Sequence, residues 1–318
     1  MAGLGLIEFA ARFTQPGLRE LPRFLVRSID TDIELPFMQP DQELFWKPTP
    51  GYAAPMWGGA VTIGDDGLRE GGIAAPGAPR RMLCFGDSIT FGFGVSDDES
   101  YPAALSVLLQ TTGTEVRNAG VTGYTSYQTL RRLRQALKNQ RVDFVTLLIG
   151  WNDGTRRPIT DSEFAARLKS STSTTDDVLR HLAIYRLMKG LWLRRGLQTS
   201  EGRSARTTVR VPLDAYAANL EAFVGETRAV GAQPIFISLP SRLIKGAEPS
   251  STAYSETLAA VARRLSVPLL DVGILSGTSK DIAATGNESL FIDSLHLSPE
   301  GGRLMAKTLA GQLEPLLR

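Results

Sequence analysis

From residue 81 onward, apolar and polar positions alternate in blocks. Short apolar runs occur at 82–85, 144–149, 234–239 and 267–272, with a weaker one at 115–118. These read as strands, and segments of helical length lie between them at 101–109, 126–139, 213–230, 254–265 and 299–317. Gly231 stands where a helix-terminating glycine belongs, and Pro299 suits a first helical turn. Strands alternating with helices predict an α/β fold, a parallel sheet covered on both faces.

Two regions depart from this rhythm. Residues 1–80 are expected to be an N-terminal arm or small accessory region preceding a main domain at 81–318. Leu4, Ile7, Phe9, Ala10 and Phe13 suggest a short amphipathic helix, and 18–26 a second. Pro36, Pro40, Pro48, Pro50 and Pro55 then punctuate a stretch carrying Phe37, Phe45, Trp46 and Trp57. Prolines at that density exclude long helices and central strands. The aromatics read as packing anchors, with Trp46 or Trp57 as candidates to border an active site. Residues 61–63 followed by Gly64-Asp65-Asp66-Gly67 read as a strand ending in a turn, and 71–80 as a linker. The second departure is an insertion at about 154–212. It holds an apolar-rich helix at 178–193 with acids before it and Arg194-Arg195-Gly196 after it. A packing wedge, a lid or acyl-chain wall, and a membrane-surface contact through Trp192 all remain open for it.

Composition removes several classes. The net charge of +2 over 318 residues gives no reason to expect a nucleic-acid partner, and the pI near 8.7 permits only weak attraction to anionic surfaces. The single cysteine, Cys84, excludes an intrachain disulfide framework and lies within a core strand. No apolar stretch reaches membrane-spanning length. Residues 1–13 make a poor secretion signal, so a cytoplasmic location is expected. Oligomeric state is not legible.

Candidate chemistry centres on Phe85-Gly86-Asp87-Ser88, where a strand opens into a turn and presents a serine hydroxyl. A serine needs a base and oxyanion donors to act as a nucleophile. Only two histidines exist, and His181 falls inside the inserted helix. His296 follows Asp293 by three positions, so that carboxylate can reach the imidazole Nδ1 and fix its tautomer. Asn152, in Ile149-Gly150-Trp151-Asn152-Asp153, ends another strand with an amide able to donate, and Trp151 beside it is a candidate substrate-pocket wall. Asn118-Ala119-Gly120-Val121-Thr122-Gly123 adds glycines whose N–H groups can approach a ligand closely. Asp87 and Asp153 read as carboxylates that bond backbone N–H groups. No cluster suits a metal, and the glycine spacing around Ser88 is not that of a phosphate loop. Thr90, where a nucleophile elbow would have its second glycine, argues against the α/β-hydrolase fold.

In this order, Gly86-Asp87-Ser88, Gly123, Gly150-Trp151-Asn152-Asp153 and Asp293-x-x-His296 resemble the four sequence blocks of the SGNH, or GDSL, hydrolase superfamily. The resemblance spans roughly 81–318, and Gly67-Leu68-Arg69 resembles the preamble of some bacterial members. It implies a flavodoxin-like three-layer αβα sandwich with a five-stranded parallel sheet of order 2-1-3-4-5, whose switch point lies between the Ser88 and Asn152 loops. It further implies Ser88 as nucleophile, His296 as base and Asp293 as its orienter. The oxyanion hole would comprise the Ser88 N–H, the Gly123 N–H, with Gly120 as the alternative, and the Asn152 side chain. The expected activity is a serine esterase or O-deacylase acting on a small-molecule or glycan ester without a cofactor or metal. Acyl transfer to a sugar or other alcohol, lysophospholipase or thioesterase action, and a binding module without turnover are the alternatives.

Overall fold

The structure is a computed structural model describing residues 35–73, 77–170, 207–239, 242–243, 250–273, 277–278, 287–293 and 295–317. The expected helices at 1–26 and 178–193, with His181, Trp192 and Arg194-Arg195, lie outside the described residues, as does Ser294. The chain divides into two compact units, one formed by 48–155 and 210–318, the other by 1–47 and 156–209.

The first unit carries the sheet. Its elements begin with a hairpin, β1 (Ala53–Met56) and β2 (Gly59–Thr62). There follow β3 (Arg80–Gly86), a single turn α1 (Ser88–Phe91), α2 (Tyr101–Leu109), β4 (Thr114–Asn118), α3 (Ser126–Asn139) and β5 (Phe144–Leu148). After the break come α4 (Leu213–Ala229), β6 (Gln233–Ile237), α5 (Ser250–Arg264), β7 (Leu269–Leu270) and α6 (Pro299–Leu313). The main sheet has five strands in the order β4-β3-β5-β6-β7, every neighbouring pair parallel. Counted from β3, that is 2-1-3-4-5, the doubly wound order expected.

Both sheet faces are dry, and the side-chain alternation of a strand explains the continuous apolar runs. Met82 and Cys84 of β3 join a cluster with Tyr101, Leu105 and Leu109 of α2 and Met305, Leu309 and Leu313 of α6. Leu83 and Phe85 point the other way, into a cluster with Leu130 and Leu133 of α3, Tyr216, Leu220 and Phe223 of α4, and Leu258 of α5. Local chemistry sets the helix ends. Ser298 accepts from the Gly301 N–H at 3.1 Å at the start of α6, and a Thr125/Gln128 capping box opens α3. Gly231 adopts φ 78° just past α4. Two boundaries fall short of expectation. The last helix yields to a 3₁₀ turn, Glu314–Leu316, because Pro315 cannot donate to an α-helical bond. The 267–272 run pairs only over Leu269–Leu270, as an edge strand bonded on one side.

Residues 48–73 are knitted into this unit by Arg69. The Arg69 N–H donates to the Asn118 carbonyl at 3.0 Å at the end of β4. Its guanidinium, only 2% exposed as a residue, donates from Nη1 to the Phe91 carbonyl (2.6 Å) and Gly92 carbonyl (2.5 Å), and from Nη2 to the Val95 carbonyl (2.6 Å). Nε pairs with Asp97 Oδ1 at 3.2 Å, and the same oxygen accepts from the Thr62 N–H of β2 at 3.0 Å. Burial pushes the guanidinium's pKa down, and Asp97 opposes that shift.

In the second unit, strands Met38–Asp41 and Phe45–Pro48 pair with each other, and Arg156–Arg157 pairs antiparallel with Thr208–Val209. Phe37, Phe45 and Trp46 are buried. Phe45 meets Phe164, on the helix Asp161–Ser170, edge to face at 4.9 Å.

Replacing Arg69 with Leu removes the guanidinium's bonds to the Phe91, Gly92 and Val95 carbonyls and the ion pair to Asp97, which keeps only the Thr62 N–H, a class of change that costs about 3–5 kcal/mol. Urea denaturation of Arg69→Leu should show a loss of that order; a loss below about 1 kcal/mol would mean the carbonyls find other donors.

Candidate active site

Ser88 sits where β3 breaks. Gly86 ends the strand at a point where a Cβ would come within 2.1 Å of Thr90 Oγ1 and 2.5 Å of the Leu148 carbonyl, so only glycine lets the chain fold back this tightly. Asp87 caps the turn by accepting from the Ile89 N–H at 3.0 Å. The Ser88 residue is 6% exposed.

Its hydroxyl lies 2.8 Å from His296 Nε2. His296 Nδ1 lies 2.7 Å from Asp293 Oδ2. The other Asp293 oxygen accepts from the backbone N–H groups of Leu295 and His296, both at 2.7 Å. The Asp-x-x-His spacing is therefore a turn in which one carboxylate binds the backbone of the loop and orients the imidazole. The loop is closed by the Ile292 N–H donating to the His296 carbonyl (2.9 Å) and the Ser298 N–H to the Leu290 carbonyl (2.9 Å). Partial burial pushes the Asp293 carboxyl up, but the His296 N–H, the imidazole and the Leu295 N–H outweigh it and hold the pKa below the ordinary value. With Asp293 ionised and accepting the Nδ1 proton, Nε2 is left as an acceptor for the Ser88 hydroxyl.

Asn152 follows β5. Its Nδ2 donates to Asp87 Oδ2 at 3.3 Å. One amide proton is used there and a second remains. The Asn152 carbonyl accepts from the Thr155 N–H (3.2 Å) and Oγ1 (2.8 Å), which holds the loop. Asp153, fully buried, takes the Ser126 N–H (3.0 Å) and Oγ (2.5 Å) at the start of α3. Of the two glycines offered by the sequence, Gly120 donates its N–H to Asn118 Oδ1 at 3.0 Å. A Cβ on Gly120 would meet the Phe91 nitrogen at 2.4 Å, so it is a packing position. Gly123 is half-buried at φ 78°. Its carbonyl accepts from Arg210 Nη1 at 2.8 Å, while Nη2 of the same buried arginine donates to Gln128 Oε1 at 2.9 Å. Trp151 is half-buried against the cluster containing Ile89, Leu239 and Phe291. Its indole N–H is buried without an acceptor among the described residues.

Sequence reasoning passed over three residues. Arg210 lies 87 positions from Gly123, at the end of the insertion, and Arg69 carried no local signal beyond its motif. Phe93, whose ring lies 4.7 Å from the imidazole, shares its loop with Ser88 and was discoverable only from that proximity. Among the described residues, no three His, Cys, Asp or Glu side chains gather as a metal site, and no helix is long and apolar enough to cross a membrane.

A doubly wound parallel sheet with a hydrogen-bonded serine–histidine–aspartate line at the carboxyl end of its first strand defines the class. The chain belongs to the GDSL-like lipase/acylhydrolase family, whose model matches residues 84–304. It is 39% identical over 75 residues to thioesterase 1/protease 1/lysophospholipase L1 of Escherichia coli (strain K12), covering 24% of this chain and 36% of that protein. Over 85 residues it is 34% identical to an arylesterase of Vibrio mimicus, covering 26% and 42% respectively. The matches thus span less than half the length of either relative. Among solved structures it is similar to that of TesA, with a TM-score of 0.49 at 18% identity over 74% of this chain and 99% of that one. It is also similar to the psychrotrophic esterase EstA from Pseudoalteromonas sp., with a TM-score of 0.47 at 17% identity over 75% and 98%.

Burial pushes the Asp87 carboxyl up from 3.8 to about 7, against the pull of the Ile89 N–H, its own backbone N–H and the Asn152 amide. The folded protein therefore holds this proton more tightly than the unfolded chain. The stability this gives is present below the ordinary value and is lost as pH rises towards about 7. Asp87→Asn keeps an acceptor for the Ile89 N–H without the charge. Its stability relative to the parent should increase between about pH 4 and pH 7 and level off above, in urea titrations across that range. A difference independent of pH would contradict the assignment.

Proposed function

We propose that the protein is a serine esterase or O-deacylase that hydrolyses a small-molecule or glycan carboxylic ester, with acetyl or short acyl groups favoured. The observation that carries this reading is the unbroken line from Asp293 through His296 to Ser88, with contacts of 2.7 and 2.8 Å. Membership of an acylhydrolase family supports it.

The chemistry follows from those contacts. Ser88 Oγ forms a bond to the ester carbonyl carbon while its proton passes to His296 Nε2, and the carbonyl oxygen becomes an oxyanion. Asp293 stays ionised and stabilises the imidazolium. The donors for the oxyanion are the second Asn152 amide proton, the Gly123 N–H and the Ser88 N–H, which at the first position of a helical turn has no intrahelical acceptor. The carbon–alkoxide bond then breaks, and the imidazolium delivers its proton to the departing oxygen. Water repeats the sequence in reverse on acyl-Ser88, giving up a proton to His296 and releasing the carboxylic acid. Trp151, adjacent to Asn152, borders the acyl side in this arrangement.

Ser88→Ala should reduce hydrolysis of p-nitrophenyl acetate to background, a loss of about 10⁶-fold if the three residues act as a unit. Asn152→Ala should lower kcat by about 10²–10³ with the fold unchanged. Undiminished turnover in the Ser88 variant would refute the reading. A panel of acetyl to octanoyl esters and one acyl thioester, run with and without a polyol, measures acyl length and separates hydrolysis from transfer. The thioester belongs in it because the 39%-identical relative is named a thioesterase.

A further inference from the structure

The hairpin β1–β2 turns through two residues, Trp57 and Gly58, since Met56 pairs with Gly59. Both have left-handed backbones, with φ of 55° and 82°. That is the geometry of a type I′ turn, whose first position is ordinarily Asn, Asp or Gly. A bulky residue there is an outlier. Turn chemistry therefore does not account for tryptophan at this position, and the location of its ring supplies another reason.

The Trp57 indole packs on Phe93 with ring centroids 4.9 Å apart, and Phe93 leans on the His296 imidazole at 4.7 Å and 42°. The hairpin is fixed over this loop. Thr62 N–H bonds Asp97, and Gly59 lies so close to Ser96 that a Cβ would meet its Cβ at 2.4 Å. Ile292, next to Asp293 and 45% exposed, lies over Gly94, its Cδ1 2.0 Å from where a Cβ would stand. Trp57 and Phe93 are each half-buried. Phe93 thus borders the imidazole directly, Trp57 backs Phe93, and Ile292 stands at the rim beside Gly94.

Which part of a substrate meets them follows from the proton path. The imidazolium must hand its proton to the departing alkoxide, so the alcohol portion of the ester lies on the His296 side of Ser88. The acyl portion and the oxyanion lie towards Asn152. We propose that Trp57 and Phe93, with Ile292 at the rim, form the wall of the leaving-group subsite and that the preferred alcohol carries a flat aromatic ring. This rests on the esterase reading above. Ring-on-ring packing accounts for a tryptophan kept at a strained turn position, in the way that backbone strain collects at ligand-contacting sites.

The test uses matched methyl and 2-naphthyl esters of acetate and octanoate, with the full chain as parent, W57N and W57F. W57N installs the residue that type I′ turns favour, so its Tm should equal or exceed that of the parent. The ratio of kcat/KM for naphthyl over methyl esters should fall about fivefold to tenfold in W57N, the worth of one aromatic contact. W57F, which restores a ring, should recover most of that ratio. A purely structural tryptophan would lower both ester classes alike and leave the ratio unchanged in W57N, which would overturn the proposal. If the parent hydrolyses none of the four esters, the esterase reading itself fails and takes the subsite with it. That outcome is distinct from an active parent with an unaltered ratio.

Discussion

The 2.8 Å contact between the Ser88 hydroxyl and His296 Nε2 joins residues 208 positions apart. A hydrogen bond of this kind tolerates only a few tenths of an ångström of error before it weakens, so both loops must be fixed independently. On the serine side, Gly86 lets the turn close, Asp87 caps it, and the buried Arg69 guanidinium holds the carbonyls of Phe91, Gly92 and Val95. On the histidine side, Asp293 binds two backbone N–H groups of its own loop with one oxygen and the imidazole with the other. The sheet between them is the common reference frame. Its central strands are packed on both faces, which leaves the loops little freedom to drift.

The same economy appears around the proposed oxyanion donors. Asp87 both caps the Ser88 turn and receives one Asn152 amide proton, which leaves the other proton directed elsewhere. A buried carboxylate in this position is costly, and its raised pKa is the expression of that cost. Arg210 does for the Gly123 loop what Arg69 does for the Ser88 loop: a buried guanidinium binds a backbone carbonyl. Two arginines that a sequence reader would assign to the surface are structural supports for two different walls of one site.

That contrast defines what the sequence could disclose. The strand and helix order was legible because burial on both sheet faces writes itself as predominantly apolar runs, and Gly231 and Pro299 mark helix ends by local backbone chemistry. The Asp293/His296 pair was legible because its geometry is made within a single turn. Arg69, Arg210 and Phe93 were not, because their partners are remote in sequence or their residue type has no distinguishing pattern. Trp57 was visible as an arm aromatic that could border the site. Its left-handed φ and its contact with Phe93 exist only in three dimensions. Edge strand β7 was overestimated for a related reason: the apolar run Val267 to Leu270, with Val272 beyond Asp271, reveals burial, but not how many of its residues find a pairing partner.

The central claim is that Ser88 is a nucleophile activated by His296. Peptide mass spectrometry after treatment with a fluorophosphonate tests it most directly, because the reagent forms a covalent adduct only with an activated serine. The account predicts one adduct, on the peptide carrying Ser88, and its disappearance in His296→Gln. An adduct on a different serine, no adduct on the folded parent, or undiminished labelling of the His296 variant would contradict it.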